Sequence, residues 1–208
     1  MIKASNLTYA YKDGQSFSFP DVDLTPGEHL LVIGPSGVGK TTLLYLMAGL
    51  LPPTGGSVSI DGKELNTMAR HTLDQFRGEH IGFVFQQYHF IKSLNVAENL
   101  KLRQSYPKSD LDQQRREDLA ERLGLSEHLN KKVTNLSQGQ QQRLSIALGL
   151  IHKPKIIFAD EPTSNLDDAN CDKVIQLLKE EAEISKSSLV IITHDQRIKS
   201  HFKNQISL

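Results

Sequence analysis

The sequence has little of what would mark a secreted or a nucleic-acid-binding protein. It contains one cysteine, Cys171, in 208 residues, so it forms no internal disulfide, which suits a reducing cytosol. Its 24 basic and 24 acidic residues give a formal net charge of zero. Because binding to a nucleic acid backbone needs a cationic surface, this balance argues against nucleic acid as the main partner.

Long apolar runs are also missing. The N-terminus has no apolar core of a signal peptide, and no run approaches the about 20 residues of a membrane-spanning helix. A chain of this length buries one substantial core with at most a smaller subdomain. We therefore expect a cytoplasmic protein whose contact with a membrane depends on a partner.

A glycine-rich stretch is the strongest motif present. Residues 34–42 fit the phosphate-binding pattern G-x-x-x-x-G-K-[ST]. They stand between a predicted buried strand at 29–33 and apolar residues at helical spacing from 42 to 51. Glycines let backbone N–H groups turn inward, and the helix N-terminus adds donors and a partial positive charge. The stretch reads Gly34-Pro35-Ser36-Gly37-Val38-Gly39-Lys40-Thr41-Thr42.

This motif predicts a nucleoside triphosphate site. In such loops the lysine, here Lys40, reaches the β- and γ-phosphates, and the hydroxyl at the next position, here Thr41, ligates Mg²⁺. The alternative is a chance glycine turn ahead of a core helix. The correct order of strand, loop and helix favours the phosphate site.

Two carboxylates follow a second predicted buried strand, at residues 155–159. Asp160 is placed to hold the Mg²⁺ shell, as in the Walker B arrangement. Glu161 is placed to orient, or take a proton from, a water that attacks the γ-phosphate. The alternative is that the pair only caps the following helix.

Other polar residues stand at predicted strand ends or at a helix start. Gln86 and His194 each follow a strand, where ligand sites of α/β proteins gather, although a lone glutamine there is usually a surface residue. Ser137 stands where the N-cap of an apolar helix belongs, which indicates either an ordinary capped core helix or a second anion site. Tyr9 and Tyr11 alternate with small residues, so at least one of them is expected to be half-buried, whereas an exposed one ahead of the glycine loop could stack on a nucleobase.

Taken together and in this order, the motifs resemble the ATP-binding subunit of an ATP-binding cassette (ABC) transporter. Leu136-Ser137-Gln138-Gly139-Gln140, upstream of Asp160 and Glu161 with His194 beyond, is more restrictive than the P-loop alone. The compact chain resembles most the lipoprotein-releasing, macrolide-export and cell-division group. At the second signature position the family usually has glycine, and Gln138 stands there instead.

The resemblance implies a role for each matched residue. Tyr11 would stack on adenine, and Gln86 would contact Mg²⁺ or the attacking water. Ser137, Gly139 and Gln140 would belong to the signature that grips the γ-phosphate on the opposite subunit. Asp167 would communicate across the dimer, Glu161 would be the catalytic glutamate and His194 the switch histidine.

The resemblance also implies the fold and the assembly. We expect an α/β P-loop NTPase with a mixed β core around a RecA-like sheet, an N-terminal antiparallel β subdomain and a helical insertion. Residues 1–208 would form a single domain, with residues 1–86 and 136–208 as its core and about 87–135 as the helical subdomain. Two copies would close head-to-tail around two ATP and Mg²⁺ and drive a separate integral membrane subunit.

Three other functions share part of this motif pattern. A soluble cassette acting in translation or DNA repair shares the chemistry but usually carries two cassettes, coiled coils or zinc modules. A GTPase switch needs a guanine-reading Asn-Lys-x-Asp, and Asn130-Lys131-Lys132-Val133 lacks the aspartate. A non-hydrolysing scaffold would be expected to lose Lys40 or Glu161, and both are present.

Overall fold

A computed structural model describes residues 2–106, 111–164 and 166–208. Residues 107–110 of the predicted helical subdomain therefore lie outside the described residues. The strands are β1 (Ile2–Ala10), β2 (Ser16–Ser18), β3 (Val22–Leu24), β4 (His29–Ile33), β5 (Gly55–Ile60), β6 (Lys63–Glu64), β7 (Ile81–Val84), β8 (Ile156–Asp160), β9 (Ser188–Thr193) and β10 (Asn204–Ser207). The helices are α1 (Lys40–Met47), α2 (Arg70–His80), α3 (Val96–Gln104), α4 (Gln113–Arg122), α5 (Gln138–Leu150) and α6 (Asp168–Ser185).

The strands form two sheets of different kinds. The N-terminal sheet is antiparallel, with order β2-β1-β5-β6 and β3 paired to the other end of β1. The second sheet is parallel, with order β10-β4-β9-β8-β7. The predicted α/β fold with an antiparallel N-terminal part is thus confirmed.

Both faces of the parallel sheet are covered, which explains its continuous apolar strands. Successive residues of β9 alternate between two cores: Leu189 and Ile191 pack with α5 and α6, whereas Val190 and Ile192 pack with α1 and the antiparallel sheet. β4 and β8 alternate in the same way. The sheet is therefore a central layer, and its carboxyl edge stays available for polar residues.

The helical region is joined to the core. Leu100 of α3 and Leu119 of α4 belong to the same apolar cluster as residues of β8 and β9. The carboxylate of Glu181 on α6 is fully buried and lies 3.0 Å from Nη2 of Arg115 and 2.9 Å from Nη1 of Arg122, both on α4. Removing one partner of such a buried pair typically costs about 3–5 kcal/mol, so these contacts fix α4 against α6.

Two local expectations from the apolar pattern were wrong. The P-loop helix ends at Met47, and Leu50, which was expected within it, lies beyond the helix and is exposed. The spacing of Leu111, Leu119 and Leu123 in the sequence predicts one helix face, but Leu111 precedes α4 and is exposed while the other two are buried. Among the described residues, no helix is both long and apolar enough to cross a bilayer.

The closest approach of β7 to α5 depends on a glycine pair. A Cβ on Gly82 would clash with the carbonyl oxygen of Gly149 and lie 2.8 Å from Cγ of Pro154. Because backbone atoms cannot swing aside as a side chain does, this contact leaves no room for a methyl group.

We therefore expect Gly82→Ala to lower the free energy of unfolding by about 1–3 kcal/mol, the usual cost of overpacking. Gly78→Ala is the matched control, since the three atoms nearest to its Cβ would all belong to the ring of Tyr106, an exposed side chain that can move. Urea unfolding followed by circular dichroism measures both. Equal destabilisation by the two substitutions would show that the β7–α5 backbone contact is not the tight one.

Candidate functional site

The glycine loop joins β4 to α1 and forms one wall of the site. Gly37 and Gly39 have φ of +86° and +96°, which side chains rarely adopt. A Cβ on Gly39 would also lie 2.7 Å from the ring of Phe17. Gly39 is the N-cap of α1 and makes no side-chain cap, so the first-turn N–H groups face the loop. Pro35, Ser36 and Gly37 form the exposed tip, Val38 is half-buried and Gly34 is buried.

Lys40 lies inside the curve of this loop. Its ammonium donates to the carbonyl oxygens of Gly34, at 2.8 Å, and Pro35, at 2.9 Å, and only 6% of the residue is exposed. The same nitrogen lies 3.8 Å from Oε1 of Glu161. The loop thus concentrates a cation and helix N-terminal donors at one point, which is an arrangement for holding polyphosphate.

Asp160 ends β8 next to the start of α1. Its Oδ1 accepts a hydrogen bond from the hydroxyl of Thr41 at 3.4 Å. Burial raises the pKa of Asp160 to about 6, and the negative charge of Glu161 adds to this rise, while the Thr41 hydrogen bond opposes it. A buried carboxylate beside a hydroxyl provides hard oxygen donors of the kind that Mg²⁺ prefers.

Glu161 is held in place from the neighbouring strand. Its Oε2 accepts from the Thr193 hydroxyl at 2.7 Å, and its Oε1 accepts from the backbone N–H of His194 at 3.1 Å and lies 2.9 Å from that residue's Nδ1. Its φ is +48°, in the left-handed region, and its N–H donates to the carbonyl of Ile192. Residues whose backbone is held in such a sparsely populated φ region cluster at functional sites.

These residues surround one cavity of about 380 Å³. Tyr11 lies at its wall with 38% of the residue exposed, and its hydroxyl is 2.9 Å from Oγ1 of Thr42. The described lining contains Tyr11 but not Tyr9, which meets the Tyr11 ring edge-on at 4.8 Å between centroids. The described lining is Tyr11, Gln15, Phe17, Ser36, Gly37, Gly39, Lys40, Thr41, Thr42, Gln86, Glu161 and His194.

Some predicted site residues lie elsewhere in the same chain. Ser137 is the N-cap of α5, as predicted, and Asp167 is the N-cap of α6, where its Oδ1 accepts from Asn170 N–H at 2.9 Å. Gly139 lies with Gln86 and Glu161 in a second, smaller cavity of about 80 Å³. The Gln140 side chain bonds the Ser137 N–H. None of these four residues belongs to the described lining around Lys40, whereas Gln86 and Glu161 line both cavities.

Sequence reasoning missed three residues of the site. Thr193 was assigned only to a strand, although it adjoins His194 at the same strand end. Gln15 and Phe17 line the cavity because the hairpin of β1 and β2 folds over the glycine loop. Their only signal in the sequence was their proximity to Tyr11 along the chain.

Comparison with known proteins identifies this arrangement. Residues 19–164 match the family model described as ABC transporter. The chain is 35% identical over its whole length to the lipoprotein-releasing system ATP-binding protein LolD of Hydrogenovibrio crunogenus, covering 93% of that protein. It is 39% identical to the macrolide export ATP-binding/permease protein MacB of Escherichia coli, again over the whole chain but covering 32% of that longer protein.

A solved structure agrees with these relatives. The chain aligns over its full length, with a TM-score of 0.88 and 35% identity, to 94% of the dimeric ATP-binding cassette MJ0796, which was solved in a post-hydrolysis state bound to ADP and Pi. The relatives are of the lipoprotein-releasing and macrolide-export type that the motifs resemble. The chain therefore belongs to the ABC transporter family, as an ATP-binding cassette that hydrolyses ATP.

Proposed function

We propose that this cassette is the motor subunit of a transporter, working at the cytoplasmic face of a membrane with a second copy of itself and an integral membrane partner. The observation that carries the proposal is the placement of Glu161. Two hydrogen bonds from the end of β9 aim its carboxylate at the ammonium of Lys40 across the cavity. This is where the terminal phosphate of a nucleotide on the glycine loop would lie.

Binding follows from the cavity's electrostatics. Lys40 exchanges its bonds to the Gly34 and Pro35 carbonyls for bonds to phosphate, and charge-assisted bonds of this type contribute about 1.5–3 kcal/mol each. The N–H groups of α1 add further donors. The exposed ring of Tyr11 is available to stack on adenine at the far end of the cavity.

The donors around Asp160 fit a magnesium ion. The Thr41 hydroxyl, the Asp160 carboxylate and the Gln86 amide oxygen would hold it, since all are hard oxygen ligands at the same strand edge. When bound, Mg²⁺ neutralises charge on the β- and γ-phosphates. The buried Asp160 would then remain ionised, because a cation beside a carboxylate lowers its pKa.

The carboxylate of Glu161 orients a water toward the γ-phosphate and takes its proton. Thr193 fixes one carboxylate oxygen with a hydrogen bond of 2.7 Å, and the His194 N–H lies 3.4 Å from the same oxygen. His194 lies 2.9 Å from the other oxygen and is about half exposed toward the cavity. An imidazole in this position can donate to a phosphate oxygen once nucleotide is present.

Ser137 and Gly139 are absent from the described lining around Lys40, which is why we propose a head-to-tail pair. The N-terminus of α5, with Ser137 and Gly139, would close over ATP held by Lys40 of the other copy. Asp167 at the start of α6 would lie at the same junction. Bonds made only with a γ-phosphate present would favour the closed pair before hydrolysis and release it afterwards.

A groove beside α3 is the proposed docking surface for the membrane partner. It has a volume of about 580 Å³ and lies between β7, α3 and the end of α1. Seven large apolar side chains are exposed among the described residues, and four of them line this groove: Leu50, Ile91, Leu102 and Tyr106. Clustering of this kind marks an interaction surface. Phe85, next to Gln86, also lines it, so the groove adjoins the nucleotide site.

The charge of the groove indicates what its occupant carries. Its described lining includes Arg77, Arg103 and His89 and no carboxylate, and Arg77 is already paired with Asp74 outside the groove. Arg103 is largely buried, which lowers its pKa to about 10, and among the described residues it bonds uncharged groups such as the Tyr106 carbonyl at 3.0 Å. We therefore propose that a helical segment of the membrane subunit docks here through apolar residues and one acidic side chain.

The first test of this function is Glu161→Gln. Loss of the general base should lower ATP hydrolysis by at least about 100-fold, while ATP binding persists and the ATP-dependent dimer becomes long-lived. Phosphate release and light scattering measure the two effects. Glu64→Gln, at an exposed position of β6, is the control and should leave both unchanged. Hydrolysis near the parent rate in Glu161→Gln would remove Glu161 from the proposed role.

The docking groove is tested by Leu102→Asp, which puts a charge among apolar walls. In a Glu161→Gln chain purified with ATP from detergent-solubilised membranes, we expect a multi-spanning protein to co-purify, and Leu102→Asp to abolish its recovery with ATP binding retained. Leu111→Asp is the matched control, because Leu111 is 44% exposed against 48% for Leu102 and lies outside the groove.

Recovery of the membrane protein by both aspartate variants would reject the groove as the docking surface. Recovery of ribosomes or nucleic acid, with no membrane protein, would instead favour a soluble cassette.

A further inference from the structure

The hydrogen bonds that cap the start of α5 depend on the orientation of the Gln140 side-chain amide. The Oε1 of Gln140 accepts the backbone N–H of Ser137 at 2.9 Å, and the Ser137 hydroxyl accepts the N–H of Gln140 at 3.3 Å. These reciprocal bonds form a capping box. Because the Ser137 N–H needs an acceptor, the oxygen of the Gln140 amide must face it, and the amide nitrogen must face the other way.

On that other side lies His128. Its Nε2 is 2.7 Å from Nε2 of Gln140. An amide nitrogen only donates, so the imidazole nitrogen has to accept, and the proton of a neutral His128 is then on Nδ1. That Nδ1 is buried and has no hydrogen-bond partner among the described residues. In this tautomer His128 keeps its hydrogen bond to Gln140, while its buried Nδ1–H is left without a partner among the described residues.

The bond matters because it decides what the Ser137 hydroxyl offers. With one lone pair occupied by the N–H of Gln140, the hydroxyl proton is free to donate away from the helix. If the Gln140 amide turns over, its nitrogen faces the Ser137 N–H, two donors oppose each other and the box opens. The His128 imidazole thus fixes the Gln140 amide, which in turn fixes Ser137.

We propose that His128 is a positioning residue for ATP-driven pairing of two copies, acting through Gln140 on Ser137. This inference rests on the proposed function, in which Ser137 contacts nucleotide held by the other copy. His128 follows α4 in the turn Ser126–His128 and is absent from the described lining around Lys40. Its loss should therefore affect pairing and leave nucleotide binding by a single chain unchanged.

The test compares substitutions of His128 that differ in where an acceptor lies. His128→Gln puts a carbonyl oxygen near the position of Nε2, His128→Asn puts it near Nδ1, and His128→Phe provides none. In the Glu161→Gln background we expect Phe and Asn to raise the ATP concentration for half-maximal dimer formation about tenfold, and Gln to restore it to within about twofold, a tenfold change corresponding to the ordinary worth of one hydrogen bond.

Three further measurements decide the mechanism. The affinity of the monomer for a fluorescent ATP analogue should be the same in all variants. In a Gln140→Ala background, His128→Phe should add nothing, because the residue it acts through is gone. Amide hydrogen exchange at Ser137 should be faster in His128→Phe than in His128→Gln, because the Ser137 N–H is released only in the former.

Several results would overturn the proposal. His128 would be only structural if His128→Gln and His128→Phe weakened dimer formation equally. The same conclusion would follow if His128→Phe kept its full effect in the Gln140→Ala background, or if the monomer bound nucleotide more weakly. Ser137→Ala separates this from the proposed function. If it leaves dimer formation intact, the pairing model fails, and the exchange measurement alone then decides whether His128 positions Ser137.

Discussion

The phosphate end of the nucleotide site depends on the carboxyl edge of one parallel sheet. β4, β8 and β9 end side by side, so that the glycine loop, Asp160, Glu161 and His194 emerge at the same level. Both faces of these strands are buried against apolar residues, so polar side chains are accommodated mainly where the strands end. The edge thus collects the charged groups, and the two cores hold them at fixed spacing.

Within this edge the side chains support one another. Lys40 is satisfied by loop carbonyls until phosphate replaces them, and Glu161 is satisfied by Thr193 and the His194 N–H. Each group is therefore oriented before ligand binds, which reduces the reorganisation required at the moment of reaction. The left-handed backbone at Glu161 is maintained because its N–H and both carboxylate oxygens are all bonded.

The site is also connected to two surfaces that lie outside it. Gln86 and Phe85 link the cavity to the apolar groove beside α3, and the buried Arg115–Glu181 pair keeps α4 fixed against α6. The start of α5 is held separately, through Gln140 and His128. If the groove and the start of α5 act as proposed, a change at the γ-phosphate would reach them by different routes.

Local patterns were enough to recover most of this organisation. The P-loop, the acidic pair after β8 and the N-cap at Ser137 are each set by residues adjacent in sequence, because turn geometry, strand burial and helix capping act over a few residues. Helix ends were less certain: Leu50 has an apolar side chain suited to α1, yet the chain leaves the helix after Met47. The apolar period alone did not indicate that boundary.

The sequence by itself therefore determined the family, the glycine loop and the acidic pair that follows β8. The tertiary structure alone decided that Thr193 holds Glu161 and that His128 reaches Gln140. It also gathered Leu50, Ile91, Leu102 and Tyr106 into one groove. These contacts join residues from separate elements, and only the packing of those elements, which no local pattern encodes, brings them together.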